Sequence, residues 1–395
     1  MSALNDVVIV AGTRTAIGGF GGSLKDFTPA ELGALVIKEA VSRAGITPGD
    51  VQHVVLGQVI PSGPHDAYLA RVAAVEAGVP VAAPALTLNR LCGSGVQAII
   101  SAAQMIKLGE CEVAVAGGAE SMSRSPHIIP SVRWGQRMGD AAVVDAMVTV
   151  LTDPFHKIHM GVTAENVAAR HDIDRAAQDA LALESHRRAA RATAEGRFKS
   201  QILPVEVKAK GGTRLFDTDE HFRADASEAD FAKLKPVFKK DGTVTAGNAS
   251  GVNDGAAALV LMSAAEAEKR GLAPKARIVA WGHAGLEPEV MGLGPVHAVP
   301  VALERAGLTL ADIDVIESNE AFAAQACAVS KVLGFDPEKV NPNGSGVALG
   351  HPVGATGAII TVKALYELER TGGRYGLVTM CIGGGQGIAM VIERL

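Results

Sequence analysis

Three reactive side chains sit in glycine-rich loops. Cys92 opens CGSG, Cys381 opens CIGGGQG, and His351 lies in ALGHPVGATG. Glycine next to a reactive group lets backbone N–H donors and a substrate come close. A cysteine with a histidine is the pairing that activates a thiolate nucleophile. A second cysteine in the same kind of loop suggests that a second proton must be moved.

Cys92 follows the apolar run PALTLNRL and precedes the helical pattern GSGVQAIISAAQMI. At such a strand-to-helix junction, unpaired N–H groups and the positive end of the helix dipole are expected to lower a thiol's pKa. The plain alternative is a buried apolar cysteine. His351 precedes Pro352 and another glycine-led helix, GATGAIITVKAL. Cys381 ends the apolar strand GLVTM, as an acid/base thiol or a strand-end core residue. Asn319, in SNEAFAAQA, could fix a water or orient a catalytic group. Cys111 and Cys327 fall in strand and helix patterns and read as core. A nucleophilic thiol, a histidine and a second acid/base thiol suggest carbon–carbon chemistry at a thioester. N–H donors in the loops after both cysteines would take up charge on the carbonyl oxygens.

The elements that must position these residues are repeated. RAGITPGDV (Arg43 to Val51) matches RAGLTLADI (Arg305 to Ile313), each between a helical and a strand-like stretch. The glycine-led helix pattern from Gly93 leads into CEVAVAGGAES, and the one from Gly354 leads into YGLVTMCIGGG. The matched order predicts a duplicated α/β unit, with Cys92 and His351 near equivalent points of the two copies. The stretch from Met122 to Asn248 carries roughly half of the Lys and Arg. It reads as an insertion, with an amphipathic helix over 175–195 and polar turns such as KGGTRLFDTDEHFR.

At 395 residues with 45 glycines and 4% aromatics, the chain is large enough for more than one lobe and suits an α/β protein. A net charge of −5 gives no reason to expect nucleic acid. No signal peptide or membrane-spanning run is legible, which predicts a cytoplasmic protein with free thiols. AIGGFGGS (Ala16 to Ser23) lacks the acidic residue that completes a dinucleotide fingerprint, and Cys and His are not spaced for a metal.

These motifs together resemble the thiolases. The likeness spans nearly the whole chain, through RTAIGGFGGSLKD, LNRLCGSGVQA, AGGAESMSRSP, HMGVTAENVA, GTVTAGNASGVNDGAAA, NEAFAAQA, GHPVGATGA and CIGGGQG. PNGSGVALGHPVGATGA and DPFHKIHMGVTAEN are similar to the broad-specificity branch that serves bacterial polyhydroxyalkanoate synthesis. The resemblance implies a five-layer αβαβα sandwich of two duplicated halves (1–121 with 249–273, and 274–395) and an inserted loop domain (122–248). It implies a reversible Claisen condensation of acetyl-CoA with acetyl-CoA or a short acyl-CoA, giving a 3-ketoacyl-CoA and CoA. Cys92 would carry the acyl group, His351 would activate it, and Cys381 would handle the α-carbon proton. Asn319 would hold a water beside His351 in one oxyanion hole, and the N–H groups of Cys92 and Gly383 would form the other. His159, Met160, Arg223, Ala246, Ser250, Ala321 and Phe322 match positions that contact coenzyme A. No cofactor or metal is implied, since the CoA thioesters are substrates.

The resemblance further implies a homotetramer, built through SRSPHIIPSVRWGQRMGD (Ser123 to Asp140). NGSGVA (Asn343 to Ala348), where many biosynthetic members have NGGAIA, points to partners such as propionyl-CoA. A degradative thiolase acting on longer 3-ketoacyl-CoA is the near alternative. A ketoacyl synthase would lack the second cysteine, and a silent CoA-binding relative would not need the full set.

Overall fold

The computed structural model describes residues 6–395. Its sheet is built from β1 (Val7–Thr15), β2 (His53–Gly57), β3 (Ala85–Leu88), β4 (Val113–Ser121), β5 (Asn253–Ser263), β6 (Ala276–Gly285), β7 (Val315–Ser318), β8 (Tyr375–Ile382) and β9 (Gln386–Arg394). They are hydrogen-bonded in the order β7-β8-β9-β6-β1-β5-β4-β2-β3. The principal helices are α1 (Pro29–Arg43), α2 (Ser94–Lys107), α3 (Met160–His171), α4 (Arg175–Ala194), α5 (Gly294–Ala306), α6 (Ala323–Leu333) and α7 (Thr356–Thr371).

The strand order contains the same unit twice. In one copy β1 pairs antiparallel with β5, β5 antiparallel with β4, and β4 parallel with β2. In the other, β6, β9, β8 and β7 repeat that sequence of pairings. Even the irregularities recur. The register slips between Ile9 and Ala11 in β1, and between Ile278 and Ala280 at the same point of β6. Within the sheet the two copies meet at β1 and β6, through the pairs Val8/Arg277 and Ile9/Ala276. The RAG repeat has a physical reason. Asp50 accepts hydrogen bonds from Thr47 N–H at 2.8 Å and its hydroxyl at 2.6 Å. Asp312 does the same for Thr309, at 2.8 and 2.7 Å. Each capping box closes the turn that enters the next strand.

Packing gives five layers. α1 covers the outer face of one sheet half and α5 that of the other, while α2 and α7 lie side by side between them and touch both halves. Strands β1, β4 and β5 are buried at every position, as expected for strands covered on both faces. Helix α7 buries even Thr361, Lys363 and Glu367. An ammonium in a central layer needs partners, and Lys363 Nζ finds Glu317 Oε2 at 2.7 Å and Gly344 O at 2.6 Å.

The central helices approach so closely because glycine faces glycine. A Cβ on Gly95 would lie 2.4 Å from Ala358 N, and one on Gly357 would lie 2.4 Å from Val96 N. This corrects the expected equivalence of the reactive residues. At the constant spacing that separates Asp50 from Asp312 and Gly95 from Gly357, Cys92 corresponds to Gly354, and His351 corresponds to Asn89. The nucleophile and the histidine lie one helix turn out of symmetry.

The segment between β4 and β5 leaves and returns at adjacent points, since Ser121 pairs with Asp254. It contains α3 and α4, and α4 packs on α6 of the second copy. The stretch KGGTRLF, expected as polar turns, instead forms the strand Gly212–Phe216, paired with Val205–Ala209. The strand face that carries Val205, Val207 and Phe216 is buried, and the loop reading missed this alternation.

Gly95→Ala should lower stability by about 1–3 kcal/mol, the usual overpacking range. A urea midpoint unchanged from wild type would contradict the glycine crossing.

Candidate active site

Cys92 sits in a tight turn just before α2. Ser94 Oγ accepts from Arg90 N–H at 2.8 Å and donates to Leu91 O at 2.6 Å. Leu91 has φ +47°, a left-handed conformation that is uncommon for a leucine. It is held by Asn89, whose Oδ1 accepts from Leu91 N–H at 2.8 Å. The turn aims the thiol into a cavity of about 330 Å³.

His351 comes from the other copy. Its N–H donates to Asn253 Oδ1 at 3.0 Å, and Asn253 Nδ2 donates to Gly18 O at 3.0 Å. Gly350, at φ +109°, makes room: a Cβ there would lie 2.5 Å from Asn253 Cγ. On the ring, Nδ1 meets Thr356 Oγ1 at 2.7 Å, and Thr356 Oγ1 donates its own proton to Pro352 O at 2.8 Å. The hydroxyl therefore has only lone pairs for the ring, so Nδ1 carries the hydrogen and Nε2 is bare. Asn319 Nδ2 lies 3.4 Å from that Nε2, and its buried Oδ1 has no partner. Burial holds His351 down at about 4, so the imidazole is neutral and ready to accept a proton.

The expected low thiol pKa of Cys92 is not found. Burial pushes it up to about 11, only partly opposed by the N–H groups of Gly383 and Cys92 that point at the sulfur. Desolvation outweighs the helix terminus. The resting nucleophile is a thiol that depends on a base. Cys381 is fully buried near the end of β8, and burial together with nearby Cys92 raises its pKa.

Cys92, His159, Met160, Ser250, Ala321, Phe322, His351 and Gly383 line one cavity. Cys381 and Asn319 lie behind its wall, both with no exposed surface. Arg223 and Ala246 do not line it. They belong to a second cavity of about 510 Å³ with His186 and His221. The two cavities share one segment, which gives Ala249 and Ser250 to the first and Ala246 and Gly247 to the second. His159 caps α3 by accepting from Gly161 N–H at 3.1 Å and stacks on Phe238 at 4.7 Å. The rest of the first cavity is apolar, including Met122, Met147, Val150 and Met291. Cys111 is buried, and Cys327 on α6 is partly buried, packed against the hydrophobic cluster that includes Ala324 and Ala328.

Sequence reasoning missed Thr356, Asn253, Asn89 and Glu120. Thr356 stood within the glycine-led motif five residues after His351. Asn253 and Glu120 act across the sheet, and nothing in their local spacing marks them.

Residues 7–265 match the thiolase N-terminal domain and residues 272–394 the thiolase C-terminal domain. The chain belongs to the thiolase family. It is accordingly an acyltransferase. It is 66% identical to the beta-ketothiolase BktB of Cupriavidus necator, over 99% of both chains. Among solved structures, the acetyl-CoA acetyltransferase of Bacillus anthracis superposes with a TM-score of 0.97 at 50% identity, covering 100% of each chain. Human mitochondrial 3-ketoacyl-CoA thiolase in complex with CoA gives 0.97 at 44%, covering 100% of this chain and 99% of the other. This thiolase has, among its described residues, no helix long and apolar enough to cross a membrane.

Thr356→Val should cut turnover roughly 10- to 100-fold by freeing the ring to take the other tautomer, while Thr356→Ser should retain most of it. Equal steady-state rates for Val and wild type would remove Thr356 from the site.

A second prediction concerns pH. Burial lowers His351 and His186 from 6.5 to about 4. The unfolded chain therefore takes up protons near pH 6.5 that the folded chain refuses until about pH 4. Their stabilising contribution is complete above 6.5 and is lost as pH falls through that window. The fall in urea midpoint between pH 6.5 and 4 should be smaller in His186→Gln than in wild type, and an equal fall in the two proteins would refute this.

Proposed function

We propose that this thiolase is a β-ketothiolase that condenses acetyl-CoA with acetyl-CoA or a short acyl-CoA such as propionyl-CoA, reversibly and by ping-pong kinetics. The observation that carries the reading is the convergence on Cys92. His351, with its Nε2 bare, lines the same cavity, and the backbone N–H groups of Gly383 and Cys92 favour the thiolate.

In the first half-reaction His351 Nε2 takes the proton of Cys92 as sulfur attacks the acetyl carbonyl carbon. The bond from that carbon to the CoA sulfur breaks, and Cys381 gives its proton to the departing CoA thiolate. In the second, the Cys381 thiolate removes a proton from the α-carbon of the incoming acyl-CoA. The α-carbon attacks the acyl-Cys92 carbonyl, the bond to Cys92 sulfur breaks, and His351 returns its proton to that sulfur. Burial makes Cys381 a reluctant acid and so, once ionised, a strong base for a carbon-bound proton. The Cys92 and Gly383 N–H groups would hold one developing oxyanion. A water between Asn319 and His351 would hold the other, which suits the orphaned Asn319 Oδ1.

The thioester end of the substrate would occupy the apolar cavity beside His159, Met160, Ser250, Ala321 and Phe322. The phosphates and adenine would extend past Ala246 to Arg223, whose exposed guanidinium suits an anion. No cofactor enters the reaction. We assign residues 122–248 as the CoA-binding loop domain between halves 1–121 with 249–273 and 274–395. The exposed apolar side chains of Ile128, Val132, Trp134 and Met138 support a homotetramer built through that loop. Four unpaired cysteines suit a cytoplasmic protein.

Incubation with acetyl-CoA should add one acetyl mass to Cys92, and a folded protein that stays unmodified would sink the proposal. Cys381→Ala should still acylate at Cys92 while condensation falls at least about 100-fold. Retained condensation would overturn the two-cysteine scheme.

A further inference from the structure

Glu120 is fully buried at the end of β4 and takes no part in the chemistry just described. Its carboxylate accepts three backbone N–H bonds. Val59 donates to Oε2 at 2.9 Å and Ile60 to Oε1 at 3.2 Å, both in the loop after β2. Gly354 donates to Oε2 at 2.8 Å from the other copy, three residues beyond His351. The fit there is close, since a Cβ on Gly354 would lie 2.6 Å from Oε2.

The contacts continue to the nucleophile. Asn89 Nδ2 donates to Val59 O at 3.2 Å, and Asn89 Oδ1 accepts from Leu91 N–H at 2.8 Å. That bond holds the left-handed Leu91 immediately before Cys92. One carboxylate therefore reaches the Cys92 turn through Val59 and Asn89, and the His351 loop through Gly354. A helical or strand ladder would satisfy backbone groups more cheaply than a buried acid. Here the three donors come from two loops of different copies, which no common ladder joins.

We infer that Glu120 is a positioning residue that sets the Cys92 turn against the His351 loop. Burial pushes its pKa up to about 8, and the three N–H donors oppose that shift. The three N–H donors engage both carboxyl oxygens, so an amide in its place would turn its NH2 toward at least one of them and should hold the loops less well. The inference rests on Cys92 and His351 acting together, as proposed above.

The test is Cys92 reactivity, read without any thioester. Glu120→Gln keeps the volume but turns amide hydrogens toward N–H donors. Its rate of Cys92 alkylation by iodoacetamide should fall roughly 10-fold or more. Its kcat should fall in parallel, with KM for acetyl-CoA within about twofold. Alkylation and kcat both within about twofold of wild type, in a variant with wild-type melting, would overturn the inference. Asn89→Ala breaks only the arm to Leu91, and it covers the case in which Glu120→Gln fails to fold. It should slow Cys92 alkylation by a comparable factor, and wild-type alkylation in that variant would equally overturn the inference. If alkylation slows while wild-type enzyme forms no acetyl-Cys92 from acetyl-CoA, the positioning role stands and the thiolase reaction does not.

Discussion

The site depends on one close approach. Helices α2 and α7 come together at Gly95 and Gly357, where neither helix has room for a methyl group. Each helix begins just after a reactive loop, Cys92 before α2 and His351 before α7. Bringing the two N-terminal turns together brings the two loops together. A wider crossing would separate thiol and imidazole while leaving each half well folded. The buried Lys363–Glu317 pair and the capping boxes stabilise the layers, whereas the glycine crossing brings the two reactive loops within reach of each other.

The symmetry of the fold is used unequally. The pairings, the register slips and the capping boxes repeat in both copies. The chemistry does not. Where one copy has Asn89 the other has His351, and where one has Cys92 the other has Gly354. Asn89 holds the strained turn before the nucleophile, and His351 faces the cavity as a base. Gly354 has no side chain, which leaves space for Glu120 beside its N–H. Duplication supplied two similar loops, and divergence gave one the nucleophile and the other the base.

Much of this was legible in the chain. The RAG repeat and the glycine-led helices announced the duplicated α/β unit because capping boxes and close packing demand particular residues at particular places. Cys92, His351, Cys381 and Asn319 stood out through their loops. Four things were not legible. The hairpin at 205–216 hid behind polar turn residues on its exposed face. Cys92's acidity is governed by burial, which a junction between strand and helix does not reveal. Arg223 and Ala246 were grouped with the other candidate CoA contacts, but they line a separate cavity. Glu120 and Asn253 act across distances in sequence that only the folded sheet closes.

The pairing of β5 with β1 and β4 carries a consequence for how the molecule is made. The first copy begins at Val7, yet its sheet is incomplete until Asn253–Ser263 inserts between β1 and β4. Until then both strands expose unpaired edges on the nascent chain, and the whole of α3 and α4 must be synthesised first. Such long-range closure slows folding and leaves sticky edges waiting. This architecture thus leaves β1 and β4 with open edges until the chain has been synthesised past Ser263, a wait that a tandem arrangement of the two copies without the insertion would have shortened.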